Sequence, residues 1–130
     1  MVVDSSAVLA ILLGEPEAES FADCIASAAQ PRMGMVNVLE TTAVALRRLR
    51  MNLAQVIQFL STAGVILTPL DERQLVFTGE ALERFGKGRH PAHWNFGDCF
   101  SYVLARSLGE PLLFKGDDFA RTDVLPAIRR

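Results

Sequence analysis

Short apolar runs alternate with longer amphipathic stretches along this chain, separated by polar, glycine or proline residues. Val2-Val3 reads as a strand ending at Asp4. Ser5 and Ser6 can cap a helix over 7–13, which Gly14 stops. Glu15-Pro16-Glu17 restarts a helix to about residue 29, since proline suits a first turn and acids suit its positive end. Phe21, Cys24, Ile25 and Ala28 form its apolar stripe. Gln30-Pro31 breaks the pattern, and 32–36 predicts a second strand. A third helix opens at Asn37, with Leu39, Thr42, Leu46 and Leu49 on one face.

A further helix is predicted over 53–63, closed by Gly64, and Val65-Ile66-Leu67 is a β-branched strand before Thr68-Pro69. Asp71 begins a helix to about Phe85. Two glycines and a proline mark 86–94 as a loop, in which His90 and His93 are loop residues, at most RNA contacts. The stretch "NFGDCFSYVLA" then enters a core helix that Gly109 stops. Residues 112–114 form a buried strand, 115–123 a polar segment, and Val124-Leu125 an edge strand. Strands alternating with helices predict an α/β fold with a mainly parallel, four- to five-stranded sheet flanked by helices on both faces.

At 130 residues the chain fits one domain over 1–130, and half of it is hydrophobic, which argues for a packed core. No apolar run approaches the roughly 20 residues a bilayer span needs. The start lacks a basic segment, so a signal peptide is not expected. Cys24 and Cys99 lie among apolar neighbours and read as small buried hydrophobes, in keeping with a reducing cytoplasm. A formal net charge of −2 gives no overall basic field for nucleic acid. Phosphate binding then requires metal ions or a local basic patch.

The acids are more informative. In open α/β sheets, ligands bind beyond the carboxyl ends of the strands. Asp4 ends the first strand, Glu40 lies in the first turn after the second, Asp98 in the first turn after a loop, and Asp117-Asp118 follow the last buried strand. Four distant parts of the chain would thus deliver carboxylates to one edge. Capping competes as an explanation: Asn37…Glu40 and Asn95…Asp98 have capping-box spacing, as does Asp71…Gln74, to which no chemistry is assigned. An acid near a helix N-terminus contributes about 0.3–1 kcal/mol by itself. Capping does not explain Asp4 or Asp117 at strand ends. Clustered carboxylates either hold protons or bind cations, and hard oxygen ligands suit Mg²⁺ or Mn²⁺. Such ions assist phosphate displacement.

"VVDSSAVLAIL", "VNVLE", "HPAHWNFGDCFSYVLA" and "LLFKGDDFARTDV" together resemble a PIN domain, specifically the VapC-type toxin ribonucleases of bacterial toxin–antitoxin pairs. The resemblance runs end to end. It implies a Mg²⁺- or Mn²⁺-dependent endoribonuclease acting on single-stranded or looped RNA of the tRNA or rRNA type. It also implies inhibition by a small VapB-like antitoxin, a toxin–antitoxin hetero-oligomer, a homodimer, and no membrane attachment.

Position by position, the family's acidic cluster maps onto Asp4, Glu40, Asp98 and Asp117, with Asp118 adjacent as a further candidate ligand. Asp4, Glu40 and Asp98 would hold the metal and position water, and Asp117 would complete the set. Ser5, Ser6 and Asn95 would support those ligands. Lys115, Arg89 and Arg121 are candidate RNA contacts, and Arg47, Arg48 and Arg50 could meet phosphate or an acidic partner. Gly34 stands where small or hydroxylated residues are commoner in the family, a strand detail without expected consequence for catalysis. Two other readings stay open: a non-catalytic α/β binding module, and an aspartyl-phosphate receiver or phosphatase. The latter calls for paired acids after strand one, where this chain has Ser5 and Ser6.

Overall fold

The computed structural model describes residues 1–86, 88, 90 and 94–128. Four short strands form one wholly parallel sheet: β1 (Val2–Val3), β2 (Arg32–Gly34), β3 (Ile66–Thr68) and β4 (Leu112–Leu113), in the spatial order β3-β2-β1-β4. The register pairs Val2 with both Arg32 and Leu112, Val3 with Leu113, and Met33 with Leu67. Six helices connect the strands: α1 (Ser5–Leu12), α2 (Ala18–Ser27), α3 (Met35–Leu49), α4 (Leu53–Thr62), α5 (Glu72–Phe85) and α6 (Phe96–Leu108).

Alternation along the strands divides the core into two layers. Val2 and Leu112 face a cluster built from α5, α6 and the rings of Phe85, Trp94 and Phe119. Val3, Met33 and Leu113 face a second cluster containing Ala7, Val8, Phe21, Ile25, Val56 and Leu60. Neighbouring strand residues point to opposite sheet faces, so two-residue strands suffice to hold both layers. Each fully buried Val, Leu or Met contributes roughly 1.5–3 kcal/mol relative to exposure.

Several boundaries differ from the sequence reading. The cap of α1 is Asp4, not Ser5 or Ser6, and β2 ends at Gly34 so that α3 begins two residues before Asn37. Asn37 is therefore inside the helix and buried, and the proposed Asn37…Glu40 capping box does not form. The buried stripe of α3 is Asn37, Val38, Thr41, Thr42 and Ala45, while Leu39 and Leu46 are 58% and 51% exposed. Small and hydroxylated residues win the inner face because Thr41 and Thr42 return their hydroxyls to the carbonyls one turn back and let α3 pack closely on its neighbours. Val124-Leu125 form no edge strand; the segment makes a single parallel bridge, Leu112 to Pro126. Both cysteines are free, Cys99 being buried and Cys24 partly so. Among the described residues no helix is long and apolar enough to cross a membrane.

The strand order changes direction at β1, which is followed in sequence by the neighbour on one side and joined by β4 on the other. Such a reversal opens a crevice beyond the carboxyl ends of the two strands. Asp4 stands at one lip, the Asp117-Asp118 turn at the other, and the N-terminus of α6 lies against them.

Candidate active site

Asp4 is the hub of the crevice. Its side chain is 4% exposed, yet both oxygens are engaged by donors. Oδ2 accepts from the Ser6 backbone N–H at 3.0 Å and from the Ser6 hydroxyl at 2.7 Å, and Oδ1 accepts from the Ser101 hydroxyl at 2.5 Å. The Ser6 hydroxyl oxygen in turn accepts from the Lys115 backbone N–H at 2.9 Å. One carboxylate thus ties the start of α1, the middle of α6 and the turn after β4. Oδ1, which accepts one bond, keeps a further lone-pair direction.

Glu40 approaches from α3. Gly97, in the first turn of α6, makes room for it: a methyl group at Gly97 would overlap the Glu40 carboxylate. Asn37 reinforces the same crossing, its amide donating to the Gly97 carbonyl at 3.0 Å, while the Ser5 hydroxyl donates to the Asn37 carbonyl at 3.1 Å. Burial pushes the Glu40 carboxyl up from its ordinary value, and the Asp4 charge adds to that; hydrogen bonds from Ser5 and Asn37 oppose it. Gly34, the cap residue of α3, lies beside the Asn37 Oδ1 atom, which is buried and has no hydrogen-bond partner among the described residues.

Asp98 sits at the third residue of α6 in a complete capping box. Its backbone N–H donates to Asn95 Oδ1 at 3.0 Å, and its own Oδ2 accepts from the Asn95 backbone N–H at 3.1 Å. Burial is the main reason its carboxyl is pushed up to about 7; the charges of Asp4, Asp118 and Glu40 add to that, and the Asn95 hydrogen bond pulls the other way. Asp118 is likewise raised, by burial first and then by Asp4 and Asp117. Asp118 in turn acts on Asp98 through its charge. Its placement follows from its neighbours: the fully buried Trp94 donates its indole N–H to the Asp118 carbonyl at 2.5 Å, and Phe119 is packed against Trp94.

The structure therefore brings Asp4, Glu40, Asp98 and Asp118 into one electrostatic group, with Asp117 beside Asp118. Ser6 and Asn95 hydrogen-bond to Asp4 and Asp98, and Ser5 to Glu40. Trp94, Gly97 and Ser101 were missed. Ser101 had a visible signal, being a lone polar residue one helical turn beyond Asp98 within an apolar run.

The basic residues are placed differently. Lys115 pairs its ammonium with Glu15 and, at 3.3 Å, with Glu17. Arg121 is exposed. Arg47 and Arg48 occupy the last turn of α3 and Arg50 caps it, at the end away from Glu40. The His90 ring packs edge-on against Phe85. Arg89 and His93 lie outside the described residues.

The donor set is chemically suited to a hard cation: it is made of carboxylates, and Glu40, Asp98 and Asp118 are each raised in part by a neighbouring acid. Among the described residues no three such side chains already stand at ion-enclosing distances.

The PIN domain family model matches residues 1–125. The chain belongs to the PIN domain family, among the VapC ribonucleases. It is 38% identical over 129 residues to ribonuclease VapC42 of Mycobacterium tuberculosis, covering 98% of each chain. It is 42% identical over 125 residues to ribonuclease VapC of Mycolicibacterium smegmatis, covering 95% of this chain and 97% of that one. The fold superposes on the crystal structure of Mycobacterium tuberculosis VapC20, a Sarcin-Ricin loop cleaving toxin, with a TM-score of 0.79 at 16% identity, covering 99% and 98% of the two chains. It also matches a toxin–antitoxin complex from Klebsiella pneumoniae with a TM-score of 0.71 at 12% identity, covering 99% of this PIN chain and 98% of that one. At those identities the two structures speak for the fold alone.

Proposed function

We propose that this VapC-family protein is a metal-dependent endoribonuclease whose centre is Asp4, Glu40, Asp98 and Asp117, with Asp118 a further ligand, and whose ion is Mg²⁺ or Mn²⁺. The observation that carries this reading is the convergence of acids from β1, α3, α6 and the turn after β4, with Asp98 raised to about 7 by burial and by three neighbouring acids. Left without a cation, such a group holds protons at neutral pH; a divalent ion relieves the repulsion. When bound, the ion supplies Lewis acidity and charge stabilisation at a phosphodiester.

The chain's own residues do the positioning. Ser6 and Ser101 fix the plane of the Asp4 carboxylate. Gly97 admits Glu40 to the crevice. Asn95 holds Asp98 at the start of α6, whose positive end favours an approaching phosphate. RNA of the tRNA or rRNA type as substrate, a cognate VapB-like antitoxin as inhibitor within a toxin–antitoxin hetero-oligomer, a homodimer and a cytoplasmic location all belong to this proposal. The names of the relatives support its ribonuclease part.

Asp98→Asn is the direct test. It keeps an acceptor for the Asn95 N–H and so the capping box, while removing the charge. RNA cleavage by the purified protein should fall at least a hundredfold, on the order of the loss of a charge-stabilising group, with the circular dichroism spectrum unchanged. Cleavage at the wild-type rate would remove Asp98 from the centre.

A further inference from the structure

Phe96 is the first residue of α6, immediately before the glycine that abuts Glu40 and two before Asp98. It is 61% exposed, more than any other aromatic side chain of this protein. Phe77 comes next at 40%, and its ring carries the Arg73 guanidinium. Trp94, Tyr102, Phe85, Phe114 and Phe119 are all buried. Folding gives no reason for a phenylalanine here: the position buries little, and phenylalanine is a mediocre helix former. The ring is nonetheless held, packed edge-to-face on Phe100 one turn later at 6.3 Å between centroids. Its backbone is fixed by the same Asn95–Asp98 box that fixes the carboxylate.

Charge gives the second reason to look at this ring. The chain is net acidic, its site is a cluster of acids, and Lys115 is neutralised by Glu15 and Glu17. Phosphate attraction from that lysine is therefore weakened, and a single-stranded nucleic acid needs another source of affinity. Stacking on an exposed aromatic ring supplies it, because every unpaired base has a π-face and a base-paired one has both faces covered.

We infer that Phe96 is a stacking platform for an unpaired nucleobase next to the scissile phosphodiester, a positioning residue that selects single-stranded or looped RNA over duplex. This inference rests on the nuclease reading above.

The test uses the full chain and a short single-stranded oligoribonucleotide that the wild type cleaves. Phe96→Ala should lower kcat/KM roughly five- to a hundredfold, the usual loss for one stacked base, with the melting temperature close to wild type because the side chain is exposed. Phe96→Trp should retain cleavage, and Phe96→Leu should behave like alanine, which separates stacking from mere apolarity. In the Asp98→Asn background, the same oligonucleotide carrying one 2-aminopurine should lose fluorescence on binding, and Phe96→Ala should abolish that quenching. Wild-type kcat/KM for Phe96→Ala or Phe96→Leu overturns the platform. So does full cleavage by Phe96→Ala combined with lost binding to a purified antitoxin, which would assign the ring to a protein partner. An active Asp98→Asn protein would sink the nuclease assignment itself; an inactive one beside a fully active Phe96→Ala protein sinks only the platform.

Discussion

Asp98 answers two demands with one carboxylate: it closes the capping box with Asn95 and it stands within reach of three other acids. Its burial and those neighbours raise its carboxyl from 3.8 to about 7, so the protonated form is the one the metal-free fold prefers. An acid raised on folding gives stability that is fully present below its unfolded value and is lost as pH rises through the folded value. Metal-free wild-type protein should therefore lose stability relative to Asp98→Asn between about pH 4 and pH 7, and the gap should level off above that. Urea midpoints of the two proteins across this pH range check it; parallel curves would place Asp98 in a more solvated setting. At this scale the sequence was legible where a box was local and exposed. Asn95…Asp98 and Asp71…Gln74 both form as spaced. Asn37…Glu40 has the same spacing and does not cap, because the helix starts earlier and the asparagine side chain is drawn sixty residues along the chain to the Gly97 carbonyl. Spacing fixes what can cap; tertiary partners decide what does.

Among the elements, the decisive relation is the crossing of α3 and α6. Glu40 comes from the second turn of α3 and Asp98 from the first turn of α6, and the two helices approach closely because Gly97 lacks a side chain where Glu40 passes. Gly97→Ala is expected to force Glu40 aside. It should reduce cleavage about tenfold or more, the effect of displacing a positioned group by around an ångström, and a helix-favouring alanine at that point should not rescue it. Rates measured for Gly97→Ala and Gly97→Ser against wild type would show this; unaltered rates would mean Glu40 has room to re-seat without consequence. The order of strands and helices could be read from pattern alone, since apolar runs of two or three residues recur between amphipathic stretches. The inner face of α3 could not. Of the predicted stripe Leu39, Thr42, Leu46 and Leu49, only Thr42 is buried; the three leucines are turned outward, and Thr41, Thr42 and Ala45 pack inside. Hydropathy ranks leucine above threonine, whereas close helix packing rewards small side chains whose hydroxyls are satisfied locally.

At the level of the whole molecule, the four acids come from the ends of elements scattered over more than a hundred residues, and only the parallel order β3-β2-β1-β4 gathers them. A cation bound there would cross-link the two halves of the sheet. Adding Mn²⁺ to metal-free protein should raise the melting temperature in a concentration-dependent way, and Asp98→Asn should blunt the response. A flat titration would mean that the acids act as caps and solvated ends without an ion. Convergence of the acids was inferable from the rule that ligands sit beyond strand ends. The seating of the Asp117-Asp118 turn was not, since the indole of Trp94 holds the Asp118 carbonyl, a contact that no local pattern encodes.

The network around Asp4 also bears on how an inactive form of this protein is best made. Removing that carboxylate would strand the hydroxyls of Ser6 and Ser101 and a backbone N–H in a buried place, with a penalty of about 1–3 kcal/mol for each group left without a partner. A chain disabled at Asp4 would lose its architecture along with its chemistry, so a silent variant there says little about catalysis. Asp98, whose box survives as asparagine, separates the two.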